Sequence, residues 1–116
     1  MNPEIKIIKN SVSKEELNDI AKNQFGDLVK AVVDIKKEIM AIGGELHADE
    51  EALLLQQGSH QENLWGINLY LNKPEEAWIE FDSMINIRPS QNNRSRGVEN
   101  LDTQRKIINI VKKLIP

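Results

Sequence analysis

The sharpest pattern along the chain lies between Trp65 and Ile87. Trp65, Ile67, Leu69 and Leu71 alternate with Gly66, Asn68 and Tyr70, the period of two that a strand with one buried face requires. After the turn-forming Asn72-Lys73-Pro74-Glu75-Glu76, a second run places Ala77, Ile79, Phe81, Ile85 and Ile87 on an apolar face. Its opposite face carries Trp78, Glu80, Asp82, Met84 and Asn86. The two runs predict an antiparallel hairpin in which Tyr70 faces Trp78, Asn68 faces Glu80 and Gly66 faces Asp82.

Upstream, Glu4 to Ile8 is short and β-branched and suits an edge strand. A helix over 14–25 is announced by the Ser13-x-x-Glu16 capping box. Val12 and Leu17 are placed as a hydrophobic staple, and Gly26 can end the helix in a left-handed conformation. Leu17, Ile20, Ala21 and Phe25 form its inner stripe. The stretch from Leu28 to Gly44 fits two templates. As a helix, Leu28, Val32, Ile35, Ile39 and Ile42 step by four and three; as strands, two β-rich runs meet near Lys36-Lys37. The β-branched residues favour strands and the missing Asn-Gly or Asp-Gly turn favours a helix; propensity tips the reading toward strands. A helix over 48–57 carries Asp49, Glu50 and Glu51 in its first turn, where negative charge meets the helix dipole. The last helix, over 101–115, turns Ile107, Ile110, Val111 and Leu114 inward. The sum is one α+β domain over 1–116, an antiparallel sheet with its three helices packed mainly on one face.

Composition then narrows the function classes. The 116 residues include 15 basic and 18 acidic side chains, a formal net charge of −3. That balance argues against a protein that coats nucleic acid or an anionic membrane. With aromatic residues at only 4%, a weak local RNA contact is the most that stacking could support. The absence of cysteine excludes disulfides, thiol catalysis and Cys-ligated metals. No apolar run approaches the ~20 residues that span a bilayer. The first ten residues lack the pattern of a signal peptide, so a cytoplasmic protein without membrane contact is expected.

The segments Val29 to Ile35, Glu45-Leu46-His47-Ala48-Asp49-Glu50-Glu51-Ala52 with its leucines, Leu64 to Tyr70, and Glu80 to Arg96 carry a resemblance. Together they resemble a family of short uncharacterised prokaryotic proteins, a domain of unknown function. The resemblance implies a compact cytoplasmic domain that stands alone. It brings no activity, substrate or site residue.

Two constellations carry candidate chemistry. Glu45, His47 and Asp49 would project to one side of an extended segment, where two carboxylates and an imidazole could bind a divalent metal such as Mn, Fe(II) or Zn. With Asp82 as general base, that set would make a metal-dependent enzyme. A helix starting at Ala48 would instead turn Asp49 away. The second constellation is the loop from Arg88 to Gly97, in which Arg88, Asn93, Arg94, Ser95 and Arg96 place guanidinium forks beside amide and hydroxyl donors. Such a set suits a phosphate or carboxylate. The alternative is that these arginines pair with Glu80, Asp82, Glu99 or Asp102. No Walker motif is present, which excludes an NTP-hydrolysing P-loop. Ser83 has no histidine placed by sequence to activate it. The favoured reading is a binding or interaction module for an anionic small molecule or a protein partner. A homodimer could form through a strand edge or an exposed Tyr70/Trp78 face.

Overall fold

The ambiguous stretch 28–44 forms a hairpin. In the computed structural model, which describes residues 4–116, β2 (Val29–Asp34) and β3 (Ile39–Ile42) pair antiparallel, with Asp34 opposite Ile39. A loop from Ile35 to Glu38 stands in for the missing two-residue turn, and Asp34 builds it. Its Oδ1 accepts the backbone N–H groups of Lys36 and Lys37, each at 2.9 Å, and its Oδ2 accepts the Ser59 hydroxyl at 2.7 Å. Glu38, at φ +58°, takes the left-handed conformation that closes the turn.

β4 (Leu64–Leu69) pairs along the other side of β2, with Lys30 opposite Asn68 and Val32 opposite Gly66. β1 (Lys6–Ile8) adds to β3 and β5 (Ile79–Glu80) to β4, so the antiparallel sheet runs β1-β3-β2-β4-β5. Around it lie α1 (Lys14–Asn23), α2 (His47–Gln56) and α3 (Leu101–Leu114). Ser13 caps α1 by accepting the Glu16 N–H at 3.1 Å, as its spacing predicts. The Glu16 carboxylate pairs with Lys6 Nζ at 2.8 Å, tying α1 to β1. Asn100 caps α3 in the same way, accepting the Thr103 N–H at 3.0 Å.

The fold is α+β, with two of its three helices on one face. Leu17 and Ala21 of α1 and Ile107, Ile110, Val111 and Leu114 of α3 pack against Val29, Ala31, Val33, Trp65, Ile67 and Leu69. α2 takes the other face, where Leu54 meets Val32, Ala41 and Leu64. The physical reason is that β2, β3 and β4 place apolar residues on both faces, and the second face also needs a cover. Among the described residues, no helix is long and apolar enough to cross a membrane.

Three expectations are corrected. The strand expected over 77–87 is reduced to Ile79–Glu80, because Met84–Asn86 coil into a 3₁₀ turn capped by Ser83. Ile85 then joins the α2 side and Ile87 is left at the surface. Trp78 does not stand outside beside Tyr70. Its helical backbone (φ −65°, ψ −37°) breaks the alternation at that residue alone, so the ring enters the core and its Nε1 donates to the Lys73 carbonyl at 2.8 Å. The register itself is the expected one, with Asn68 opposite Glu80 and the Tyr70 N–H donating to the Trp78 carbonyl at 2.8 Å. Finally, α1 ends at Asn23, so Phe25 leaves the inner stripe and stays 41% exposed.

Asp34→Ala removes the acceptor for two backbone donors and a buried hydroxyl at once. The expected loss is on the order of 2 kcal/mol of folding stability, read as a lower urea midpoint. A loss below about 0.5 kcal/mol would show that the turn closes without that carboxylate.

Candidate functional site

The α2 face of the sheet divides into two halves. One is apolar, centred on Val32, Ala41, Leu54 and Leu64. The other gathers Lys30 from β2, Gly66 and Asn68 from β4, and Glu80 from β5. Lys30, Asn68 and Glu80 are partners across three strands, so their side chains stand in one row. Asn68 Nδ2 donates to Glu80 Oε1 at 2.8 Å and to the Asp82 carbonyl at 3.3 Å, and the Tyr70 hydroxyl also reaches Glu80 Oε1 at 3.3 Å. Asn68 Oδ1 is buried and has no partner among the described residues.

Gly66 allows the covering layer to come close. A Cβ there would lie 2.6 Å from Ser83 Oγ and 3.2 Å from His47 Cγ, so these two side chains fill the space it leaves. β5 has already stopped at this level, and a side chain takes its place. The Gly66 N–H donates to Asn86 Oδ1 at 2.8 Å, and Asn86 Nδ2 donates back to the Gly66 carbonyl at 3.0 Å. Asn86 thus supplies the acceptor and the donor that a neighbouring strand would have offered.

Two titratable groups on α2 face this site. His47 opens the helix, buried over β4. The Ile67 carbonyl can only accept, so the 2.8 Å contact puts the imidazole proton on Nε2 and leaves Nδ1 with its lone pair. Burial holds the His47 pKa below its ordinary 6.5 against the opposing pull of the Ile67 hydrogen bond, and the Lys30 charge lowers it further. One turn on, Glu50 is fully buried. Its Oε2 accepts the Gly44 N–H at 3.0 Å, and its Oε1 has no partner among the described residues. Burial pushes its pKa well above the ordinary 4.5, with the Gly44 N–H opposing. A base whose protonation burial disfavours and an acid whose ionisation burial disfavours therefore sit three residues apart on one helix. At the rim, Arg96 Nε donates to Asp82 Oδ1 at 2.6 Å, a half-exposed ion pair whose charges both reach His47.

The residues singled out from sequence fall elsewhere or serve otherwise. α2 begins one residue earlier than expected, so the extended segment that would align Glu45, His47 and Asp49 is absent. Glu45 is exposed ahead of the helix, and Asp49 lies about 200° around the axis from His47. No group of three His, Asp or Glu side chains placed to hold a metal occurs among the described residues. In the loop, Arg88 is buried. It donates to the carbonyls of Gln61 and, at 2.6 Å, Leu64, and its guanidinium stacks 4.1 Å from the centre of the Trp65 ring. Asn93 is buried as well, donating to the carbonyls of Asn86 (2.7 Å) and Gly97 (2.8 Å). The backbone N–H groups of Arg94 and Ser95 donate to Glu99 Oε2 at 2.7 and 2.8 Å and hold that carboxyl below its ordinary 4.5. Arg96 belongs to the rim pair.

Lys30, Glu50, Asn86 and the approach of His47 to Ser83 escape a reading of the sequence. Only Gly66 signals them, as a mid-strand glycine that marks a close approach. The chain's own His47 and Ser83 occupy the space that its missing side chain leaves.

A family model described as "Protein of unknown function (DUF5674)" matches residues 6–114. The chain belongs to this family. No curated protein and no solved structure matches it. The DUF5674 match runs from the first residue of β1 to the last of α3, so the site lies wholly within the matched unit.

Glu50 also sets a pH dependence. Its folded pKa lies above the unfolded value, so its contribution is complete below about pH 4.5 and is lost as pH rises toward the folded pKa. Glu50→Gln keeps an acceptor for Gly44 and cannot ionise. Urea unfolding at pH 4.5 and pH 8 should show the variant gaining on the wild type at the higher pH. An unchanged difference between the two would mean that Glu50 is not held as an acid.

Proposed function

We propose that this DUF5674 chain is a binding module whose ligand sits on the polar half of the α2 face, against Lys30, His47, Asn68 and the Asp82–Arg96 pair. Asn68 carries the reading. Its Nδ2 is committed to Glu80 and Asp82, while its buried Oδ1 has no partner among the described residues and lies in the same cross-strand row as Lys30. An unmet buried acceptor costs about 1–3 kcal/mol, which a donor on a ligand would offset. The ligand that fits is small and polar, with an N–H donor for Asn68 Oδ1 and an adjacent oxygen for Lys30. A primary carboxamide has both in one plane. His47 Nδ1 gives the site the means to exchange a proton with such a ligand.

The test is a titration of ¹⁵N-labelled protein with glutamine and nicotinamide, followed by NMR. Saturable shifts should centre on the Asn68 side-chain amide and the start of α2, and binding should weaken about tenfold in Asn68→Ala, the size of one lost hydrogen bond. Unmoved signals at millimolar carboxamide would sink this reading.

A second reading keeps anion recognition in the loop that holds Arg88, Asn93, Arg94, Ser95 and Arg96. The observation that favours it is the pair of successive N–H groups of Arg94 and Ser95, which already grip a carboxylate oxygen of Glu99. A phosphate or carboxylate of a ligand would take the place of Glu99. Glu99→Gln should then be stabilised by inorganic phosphate more than the wild type is, less so at high salt. Equal thermal shifts in the two proteins would exclude that exchange.

A further inference from the structure

On the opposite face of the sheet, a cleft of about 360 Å³ opens between the start of α3 and the tip of the loop at Gln91 and Asn92. Its volume falls in the range of small-molecule sites. Trp65 forms part of its wall. That side chain is only 5% exposed, and its Nε1–H is buried with no partner among the described residues. A buried indole N–H normally finds an acceptor. Trp78, the other tryptophan, does so at the Lys73 carbonyl.

The charges around the cleft point one way. Glu62 and Glu99 line it, every other lining side chain is uncharged, and no basic residue takes part. Arg88, stacked on the Trp65 ring, is absent from the lining. The Glu99 Oε2 atom is held by the loop N–H groups, so Oε1 is the oxygen it offers. The cleft therefore presents two carboxylates, one unmet donor and the amides of Gln91 and Asn92.

We propose that this cleft binds a small organic cation, an ammonium or guanidinium held between Glu62 and Glu99, that also carries an oxygen acceptor for the Trp65 indole N–H. The proposal is independent of the site on the α2 face. Association should be strengthened by low salt, because both carboxylates lie near the surface.

L-argininamide joins both features in one molecule and serves as the probe, with citrate as the anionic control. In ¹H–¹⁵N spectra the Trp65 indole signal is identified by its loss in Trp65→Phe. L-argininamide should move that signal and leave the Trp78 indole in place. Affinity should fall about tenfold in Trp65→Phe, as for one hydrogen bond lost, and several-fold in Glu62→Gln. A Trp65 indole unmoved by L-argininamide, an equal response to citrate, or an unchanged affinity in Glu62→Gln would each overturn the proposal. If Trp65→Phe does not fold, the exposed Glu62→Gln change and the wild-type spectra still decide it.

Discussion

The missing side chain at Gly66 sets the distance between the sheet and everything stacked on its second face. Any larger residue would strike Ser83 and then the His47 ring, two groups that arrive from different elements and meet over the same backbone atom. Because β5 ends at Glu80, the edge of β4 at Gly66 would be an unpaired polar seam in a buried position, which is costly. The Asn86 side chain closes it with a donor and an acceptor in one planar amide. The start of α2, the 3₁₀ turn over Met84–Asn86 and the middle of β4 thus depend on one glycine and one asparagine.

From Asn86 the dependence runs outward. Its carbonyl accepts from Asn93, whose Oδ1 accepts the Glu99 N–H, and its Nδ2 also donates to the Arg96 carbonyl. A loop rich in polar and cationic residues is in this way sewn onto the sheet by buried amides, with Arg88 fastening its start to Gln61 and Leu64. The desolvated guanidinium has its pKa lowered by burial, partly countered by Glu51. The network leaves Arg94 and the Arg96–Asp82 pair at the surface.

Much of the fold was legible because it follows local rules. The Ser13 cap, the stripe of α3 and the alternation of β4 are each written in residues close together, and the register of Asn68 on Glu80 follows from a symmetric turn. Trp78 was misplaced because a helical backbone at that one residue turns its side chain off the alternation that Ile79, Glu80 and Phe81 keep, and nothing local announces that step. α2 was not assigned to the second face because alternation marks a strand with one buried side, whereas β2 and β4 are buried on both. The site was least legible. Charged residues such as Glu50 and Arg88 read as solvated by default, since burial of a charge is decided by distant partners, here Gly44, Gln61 and Leu64. His47, Gly66 and Ser83 come from three separate elements, and only the tertiary fold brings them into contact.

The two borders of the sheet are both abbreviated. β1 has three residues and β5 only two, while of the strands between them β3 has four and β2 and β4 have six each. A long, flat border would leave a ladder of free N–H and C=O groups on which a foreign strand could grow. Here one border lies beside the Lys6–Glu16 ion pair, and the other gives way to coiled chain within two residues. The same early stop in β5 that calls Asn86 into the sheet therefore also protects the protein against the runaway strand addition that leads to fibrils.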